Sequence, residues 1–114
     1  MSTTIFHKII NKEIPAKIEY EDEFCIAIHD INPVAPTHLL IIPKSTIACI
    51  SNATTEHQNV LGHLLLVANQ LAKERNLESS GYRLVINNGE AAGQTVFQLH
   101  IHLLGGRDFT WPPG

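Results

Sequence analysis

One segment of this chain leaves little choice of architecture. Thr55, followed three residues later by Gln58, is a capping-box pattern, and the helical period it opens runs to about Asn76. Its apolar residues form two adjoining stripes, Val60, Leu64, Val67, Leu71 beside Leu61, Leu65, Ala68, Ala72. That face is wider than one small sheet needs. The chain has 114 residues, which suits one compact domain over 1–114 and leaves little room for two. A deep core would account for both stripes, yet a chain this short favours a second burial surface, such as a partner subunit.

The rest of the chain supplies strands. "TTIFHKIINKEIP" starts with hydroxyl residues suited to an N-cap and sets Phe6, Ile9 and Ile10 at helical spacing before Pro15 stops it. "AKIEYEDEFCIAIHDINP" reads as a hairpin, with strands near Ile18–Tyr20 and Phe24–His29 around an acidic turn at Glu21–Glu23. "THLLIIPK" is a short apolar run cut off by Pro43, the pattern of a buried strand, with a short helical turn after it at Ser45–Ser51. Beyond the long helix, "GYRLVIN" predicts a strand, "NGEAAGQ" a glycine-bearing loop, and Thr95–Leu104 the final strand. The order α-β-β-β-α-β-β predicts an α+β domain, a mostly antiparallel five-stranded sheet with its helices on one face.

Composition narrows the function classes. The formal net charge of −3 argues against a nucleic-acid binder, although backbone dipoles can still hold a small anion. Cys25 and Cys49 have no C-x-x-C spacing and read as two reduced, buried thiols. "MSTTIFHKII" lacks the plan of a signal peptide and no apolar run approaches a membrane span, so a soluble, cytoplasmic protein is expected.

The chemistry concentrates in "TVFQLHIHLLGG", residues 95–106. Alternate residues of a strand share a face, so Gln98, His100 and His102 would point one way and Leu99, Ile101 and Leu103 into the core. At ~3.3 Å per residue the two histidines would lie roughly 6.6 Å apart, able to address neighbouring atoms of one tetrahedral group. A histidine-rich solvated face has the same spacing. A zinc site is a third reading, but needs three protein ligands or more, and His38 could join only if its strand lay beside this one. In the preceding loop, Gly89 and Gly93 permit the backbone N–H groups around them to converge on an anion. With Thr95 and two histidines following, the loop suits a phosphate.

"QLHIHLL" is similar to the histidine triad signature, His-φ-His-φ-His-φ-φ with φ apolar. "IHDINPVAPTHLLIIPK", "GYRLVINNGEAAGQTVF" and "LLGGRDFTWPPG" look like the Hint branch of the histidine triad (HIT) superfamily, nucleotide-binding hydrolases, and the likeness runs from Ile5 to Gly114. The resemblance implies that His100 is the nucleophile, that His102 contacts the phosphate and the leaving group, and that His38 orients the imidazole network. It further implies that Asp30 binds the ribose hydroxyls and Ile31 lines the base pocket. Asn87, Gly93, Gln94, Thr95 and the Val96 backbone would hold the phosphate and leaving-group side. It implies a homodimer with the sheet continuous across it, the long helix and the Gly81–Asn87 strand at the interface, and Trp111 near the partner's active site. One position departs: Gln98 stands where the signature has its first histidine. Glutamine can donate and accept hydrogen bonds but cannot titrate, and its side chain is expected on the floor of the nucleotide pocket, helping to orient the His100 imidazole.

The resulting expectation is a metal-independent purine nucleoside phosphoramidase without a cofactor, which hydrolyses the P–N bond of adenosine 5′-phosphoramidates through a nucleotidyl-histidine. Its partners would be purine nucleoside monophosphates and phosphoramidates, with no nucleic acid and no membrane. A nucleotide-binding regulatory module with incidental hydrolysis and a metal-binding interaction protein are the alternatives. His7, His57 and His63 match no catalytic position, and His29 could face either side of the sheet.

Overall fold

In the computed structural model, which describes residues 3–114, a histidine completes the cap at two helical starts. The Thr4 side chain accepts from His7 N while His7 Nδ1 accepts from Thr4 N at 2.9 Å, a capping box that opens α1, Ile5–Ile10. The same device recurs at Thr54 and His57, where His57 Nδ1 accepts from Thr54 N at 3.0 Å. The cap expected from Thr55 and Gln58 therefore sits one residue earlier and starts a 3-10 turn, Thr55–His57, that runs into α2, Gln58–Glu74. Just past α2, Asn76 takes φ 59°, a conformation that stops a helix.

The strands are β1 Ile18–Glu21, β2 Cys25–His29, β3 Thr37–Pro43, β4 Tyr82–Val85 and β5 Ile101–Gly105. They form one five-stranded sheet in the order β1-β2-β3-β5-β4, antiparallel at every pairing. Asp22 closes the first hairpin, its Oδ1 accepting from Phe24 N at 2.8 Å and Cys25 N at 2.9 Å. Its Oδ2 accepts from Tyr20 OH at 2.8 Å and lies 2.6 Å from His63 Nε2, which ties the hairpin to α2. The helical turn expected at Ser45–Ser51 is a 3-10 turn at Ile50–Asn52.

Helices cover both faces of the sheet, not one. Cys25, Ala27, Leu39, Ile41, Ile101 and Leu103 pack with Leu64, Val67, Ala68 and Leu71 of α2. The alternate residues Ile26, Ile28, Leu40 and Ile42 pack with Phe6 and Ile9 of α1. The physical reason is in β2 and β3 themselves, which are apolar at successive positions and so need cover on both sides. Cys25 and Cys49 are free thiols, Cys25 buried as expected and Cys49 only partly so. Among the described residues no helix is long and apolar enough to cross a membrane.

The final strand is shorter than expected. Of Thr95–Leu104, only Ile101 onward pairs in the ladder, and Val96–Gln98 bend. Gln98 explains the difference. Its side chain is fully buried and faces backbone: Nε2 donates to Pro43 O at 2.9 Å and Ser45 O at 2.8 Å, and Oε1 accepts from Ile47 N at 3.2 Å. Leu99 N donates to Ile47 O at 2.7 Å, so this segment is tied to the loop after β3 instead of extending the β3–β5 ladder.

Candidate active site

β5 lies between β3 and β4, which puts His102 opposite Leu40 and one step along from His38 on the same face. That face opens into a cavity of about 580 Å³ between the sheet and α1. Ile5, Phe6 and Ile9 of α1 form one wall, Asp30 and Ile31 the rim, and Thr95, Val96, His100 and His102 the opposite side. The wall is apolar and the far side carries imidazoles, an arrangement that suits a flat apolar group joined to a polar one.

Hydrogen bonds fix which nitrogen of each ring carries the proton. Val34 N donates to His38 Nδ1 at 3.1 Å, so the proton of neutral His38 is on Nε2. His38 Nε2 lies 3.0 Å from His102 Nδ1 and therefore donates to it, which leaves the His102 proton on Nε2. His100 Nδ1 lies 2.8 Å from Gln98 O, a carbonyl that can only accept, so His100 carries its proton on Nδ1 and a lone pair on Nε2. Two neutral imidazoles with centroids 5.0 Å apart thus present opposite characters to one cavity: His100 a lone pair, His102 a donor.

Neutrality is enforced by burial. Desolvation lowers the His38 pKa against the pull of Asp30, and lowers that of His100 against its carbonyl bond and Asp30. His102 falls to about 4, through burial first and then repulsion from His100 and His38. The 3.4 Å approach of Asp30 Oδ2 to His38 Nε2 is accordingly a carboxylate beside a neutral N–H. Phe6 meets the His100 ring edge-on at 5.0 Å and 86°, which holds the imidazole from the α1 side. Phe6 reads in the sequence only as a core residue; nothing there shows that it touches a histidine.

The other expected residues divide. Asp30, Ile31, Thr95 and Val96 line the cavity, with Ile31 88% exposed at its rim. Gln94 is 4% exposed and ties its loop to the segment after β3, accepting from Gly89 N at 2.8 Å and donating to Ala48 O at 2.8 Å and Val96 O at 3.1 Å. It shapes the loop from behind and does not line the cavity. Gly93 takes φ 94°, a left-handed position that favours glycine, and Asn87 Nδ2 lies beside it, 4.0 Å from where a Cβ would stand. Neither Asn87 nor Gly93 lines the cavity, and Gln98 contributes its carbonyl while its side chain faces away. Trp111 is 84% exposed and lies outside the cavity of its own chain. His29 borders the cavity, with Nε2 2.7 Å from Glu19 Oε1; His63 packs under Phe24 and away from it.

Sheet order and site together define a small α+β protein in which His102 of β5, His100 just before it, His38 of β3 and Asp30 meet at one site. A family model described as HIT domain matches residues 11–109. An uncharacterized HIT-like protein of Synechococcus elongatus is 59% identical over 111 residues, covering 97% of this chain and 96% of that one. A protein of Zea mays named 14 kDa zinc-binding protein is 53% identical over 115 residues, covering 99% of this chain and 89% of that one. The crystal structure of a HIT family hydrolase from Legionella pneumophila superposes with a TM-score of 0.96 at 47% identity, covering 98% of this chain and all of that one. The chain belongs to the HIT family.

Proposed function

We propose that this protein is a Hint-type purine nucleoside phosphoramidase, which hydrolyses the P–N bond of adenosine 5′-phosphoramidates to AMP and an amine. The observation that carries the reading is the opposite polarity of the two cavity imidazoles, a lone pair at His100 Nε2 beside a donor at His102 Nε2. The name of the Legionella protein supports a hydrolase in general. In this reading His100 Nε2 attacks phosphorus, and the P–N bond breaks with its electron pair on nitrogen. That nitrogen leaves as an amine with a proton that enters from solvent past His102 Nε2. Water then attacks the nucleotidyl-histidine, the pair of the P–Nε2 bond returns to His100, and the surplus proton goes back to solvent. His102 donates to the phosphoryl oxygens as they crowd and gain charge. The α1 wall takes the base, and Asp30 the ribose hydroxyls. Mass spectrometry of protein quenched during turnover with adenosine 5′-phosphoramidate tests this: one AMP adduct on His100 is expected, and turnover without an adduct refutes the covalent route.

The maize relative's name suggests zinc as a second occupant, and Asp30, His38 and His102 each bring a ligand atom within 4.8 Å of the others. The donor set does not fit in its present protonation. His38 Nε2 carries the proton that bonds His102 Nδ1, so zinc would have to break both that bond and the one from Val34. No step is assigned to a metal.

A homodimer belongs to the same reading. Leu65 and Leu66 of α2 stay 47% and 68% exposed, and β4 is an edge strand with a free row of backbone groups. Pairing β4 to β4 would continue the sheet, cover α2, and bring Trp111 of one subunit toward the cavity of the other. Light scattering at micromolar concentration should give twice the chain mass; a monomer would contradict it.

A further inference from the structure

The turn after β5 grips the loop before β3 at two points. Gly106, at φ 91°, lies so close to Pro36 that a Cβ there would stand 2.9 Å from Pro36 Cβ. Arg107 Nε donates to Val34 O at 2.9 Å, the opposite side of the residue whose N–H donates to His38 Nδ1 at 3.1 Å. Arg107 is itself held. Its guanidinium lies over the Phe109 ring, 4.3 Å from the centroid, and Nη1 donates to Asp108 O at 3.0 Å.

We infer that Arg107 is a positioning residue, which acts through Val34 and His38 to keep the His102 N–H directed into the cavity. Each link is a hydrogen bond with one permitted direction. While Val34 N donates to His38 Nδ1, the His38 proton must be on Nε2, and His102 must accept at Nδ1 and donate at Nε2. If the Val34 peptide is released, His38 can carry its proton on Nδ1. Its Nε2 then becomes an acceptor, His102 turns its own proton toward it, and the cavity faces a second lone pair. A phosphoryl oxygen gains nothing from a lone pair. Asp30 Oδ2, 3.4 Å from His38 Nε2, favours the working tautomer as well, so releasing Arg107 weakens the preference without reversing it.

This assignment deepens the phosphoramidase reading, yet its first test needs no substrate. Long-range proton–nitrogen correlation spectra of the ligand-free protein should show protons on Nε2 of His38 and His102 and on Nδ1 of His100. In Arg107→Ala the His38 and His102 signals should move toward tautomer averages while His100 stays put. With adenosine 5′-phosphoramidate, kcat should fall roughly three- to tenfold, the reach of one hydrogen bond, with KM little changed. Arg107→Lys, which keeps a donor for Val34 O, should recover most of that loss. Should Arg107→Ala fold poorly, Phe109→Ala loosens the guanidinium while leaving the donor, and should move the same two signals less far. Unchanged tautomers in both variants, or a wild type with His102 protonated at Nδ1, would overturn the inference. Wild-type spectra as described from a protein inert toward P–N substrates would instead overturn the functional reading and leave this one standing.

Discussion

Replacing Gln98 by leucine is the sharpest test of how the site is held. The exchange nearly conserves volume, so it isolates the hydrogen bonds that the amide makes to Pro43 O, Ser45 O and Ile47 N. Ser45 is exposed and water can replace its partner, but Pro43 and Ile47 are buried and would each keep an unpaired backbone group. At ~1–3 kcal/mol for each buried group left unsatisfied, Gln98→Leu should cost about 2–6 kcal/mol, a large share of the ~5–15 kcal/mol that holds a domain together. Urea unfolding should show it directly, and the melting temperature should drop by on the order of 10 °C or more. Turnover should fall too, since the carbonyl that holds His100 Nδ1 belongs to the residue that has come loose.

Gln98→His should behave differently. A neutral imidazole offers one donor and one acceptor, so it can keep part of the network and loses about one hydrogen bond, ~1 kcal/mol. The main-chain carbonyl of position 98 remains, so nucleotide binding should be nearly unchanged and turnover altered by less than about tenfold, ~1.4 kcal/mol in barrier. A Gln98→Leu protein as stable as wild type would refute the structural argument. An inert wild type that Gln98→His converts to rapid P–N hydrolysis would show that the glutamine has disabled the enzyme, and a nucleotide-binding module would be the better reading.

His100→Ala should remove covalent chemistry by several orders of magnitude while AMP, measured by calorimetry, still binds; turnover within tenfold of wild type would sink the assignment. Asp30→Ala should weaken ribonucleotides much more than 2′,3′-dideoxy analogues, since charge-assisted bonds to two hydroxyls are worth ~1.5–3 kcal/mol each, and an equal loss would make Asp30 structural through His38. Acid should destabilise the fold through its histidines. The folded-state pKa values of His38, His100 and His102 lie below 6.5, so in the window from pH 6.5 down to about 4 the unfolded chain binds more protons. Stability is therefore full above that window and lost as the pH falls through it, by about 2–3 kcal/mol at pH 4.5 from His102 alone. Urea midpoints at pH 7.5 and 4.5 measure the loss, and His102→Asn should remove its share.

The sequence made some elements plain and hid others, for reasons that lie in particular residues. The apolar runs of β2 and β3 and the stripes of α2 depend on periodicity alone, and the structure has them within a few residues. The α1 cap falls on a hydroxyl residue, Thr4, as the sequence suggests, whereas the cap before α2 sits one residue early because His57 occupies the place where glutamate or glutamine is the usual signal. Thr95–His100 alternates like a strand, yet the Gln98 amide has three backbone partners off the ladder, and alternation says nothing of that. At the site, His100, His102 and Asp30 were legible because strand spacing and motif carry them to one cavity. Val34, Phe6 and Arg107 were not, because what they supply is an amide, a ring edge and a clamp, and each acts only through tertiary contact.

His100 Nε2 and His102 Nε2 owe their opposite character, lone pair and donor, to main-chain groups. With His102 near 4, placing a proton on it at pH 7 costs about 4 kcal/mol, so the ground state presents an N–H dipole and not an imidazolium. A neutral donor needs a fixed direction, and a neutral nucleophile needs its other nitrogen held. One comes from Val34 N through His38, the other from Gln98 O. Position 98 therefore acts twice: its carbonyl fixes the His100 tautomer, while its side chain anchors that carbonyl to the segment Pro43–Ile47. The first task belongs to any residue there, the second to one with two donors and an acceptor. A glutamine in the place of a histidine leaves the first intact and performs the second with more bonds than a neutral imidazole could make.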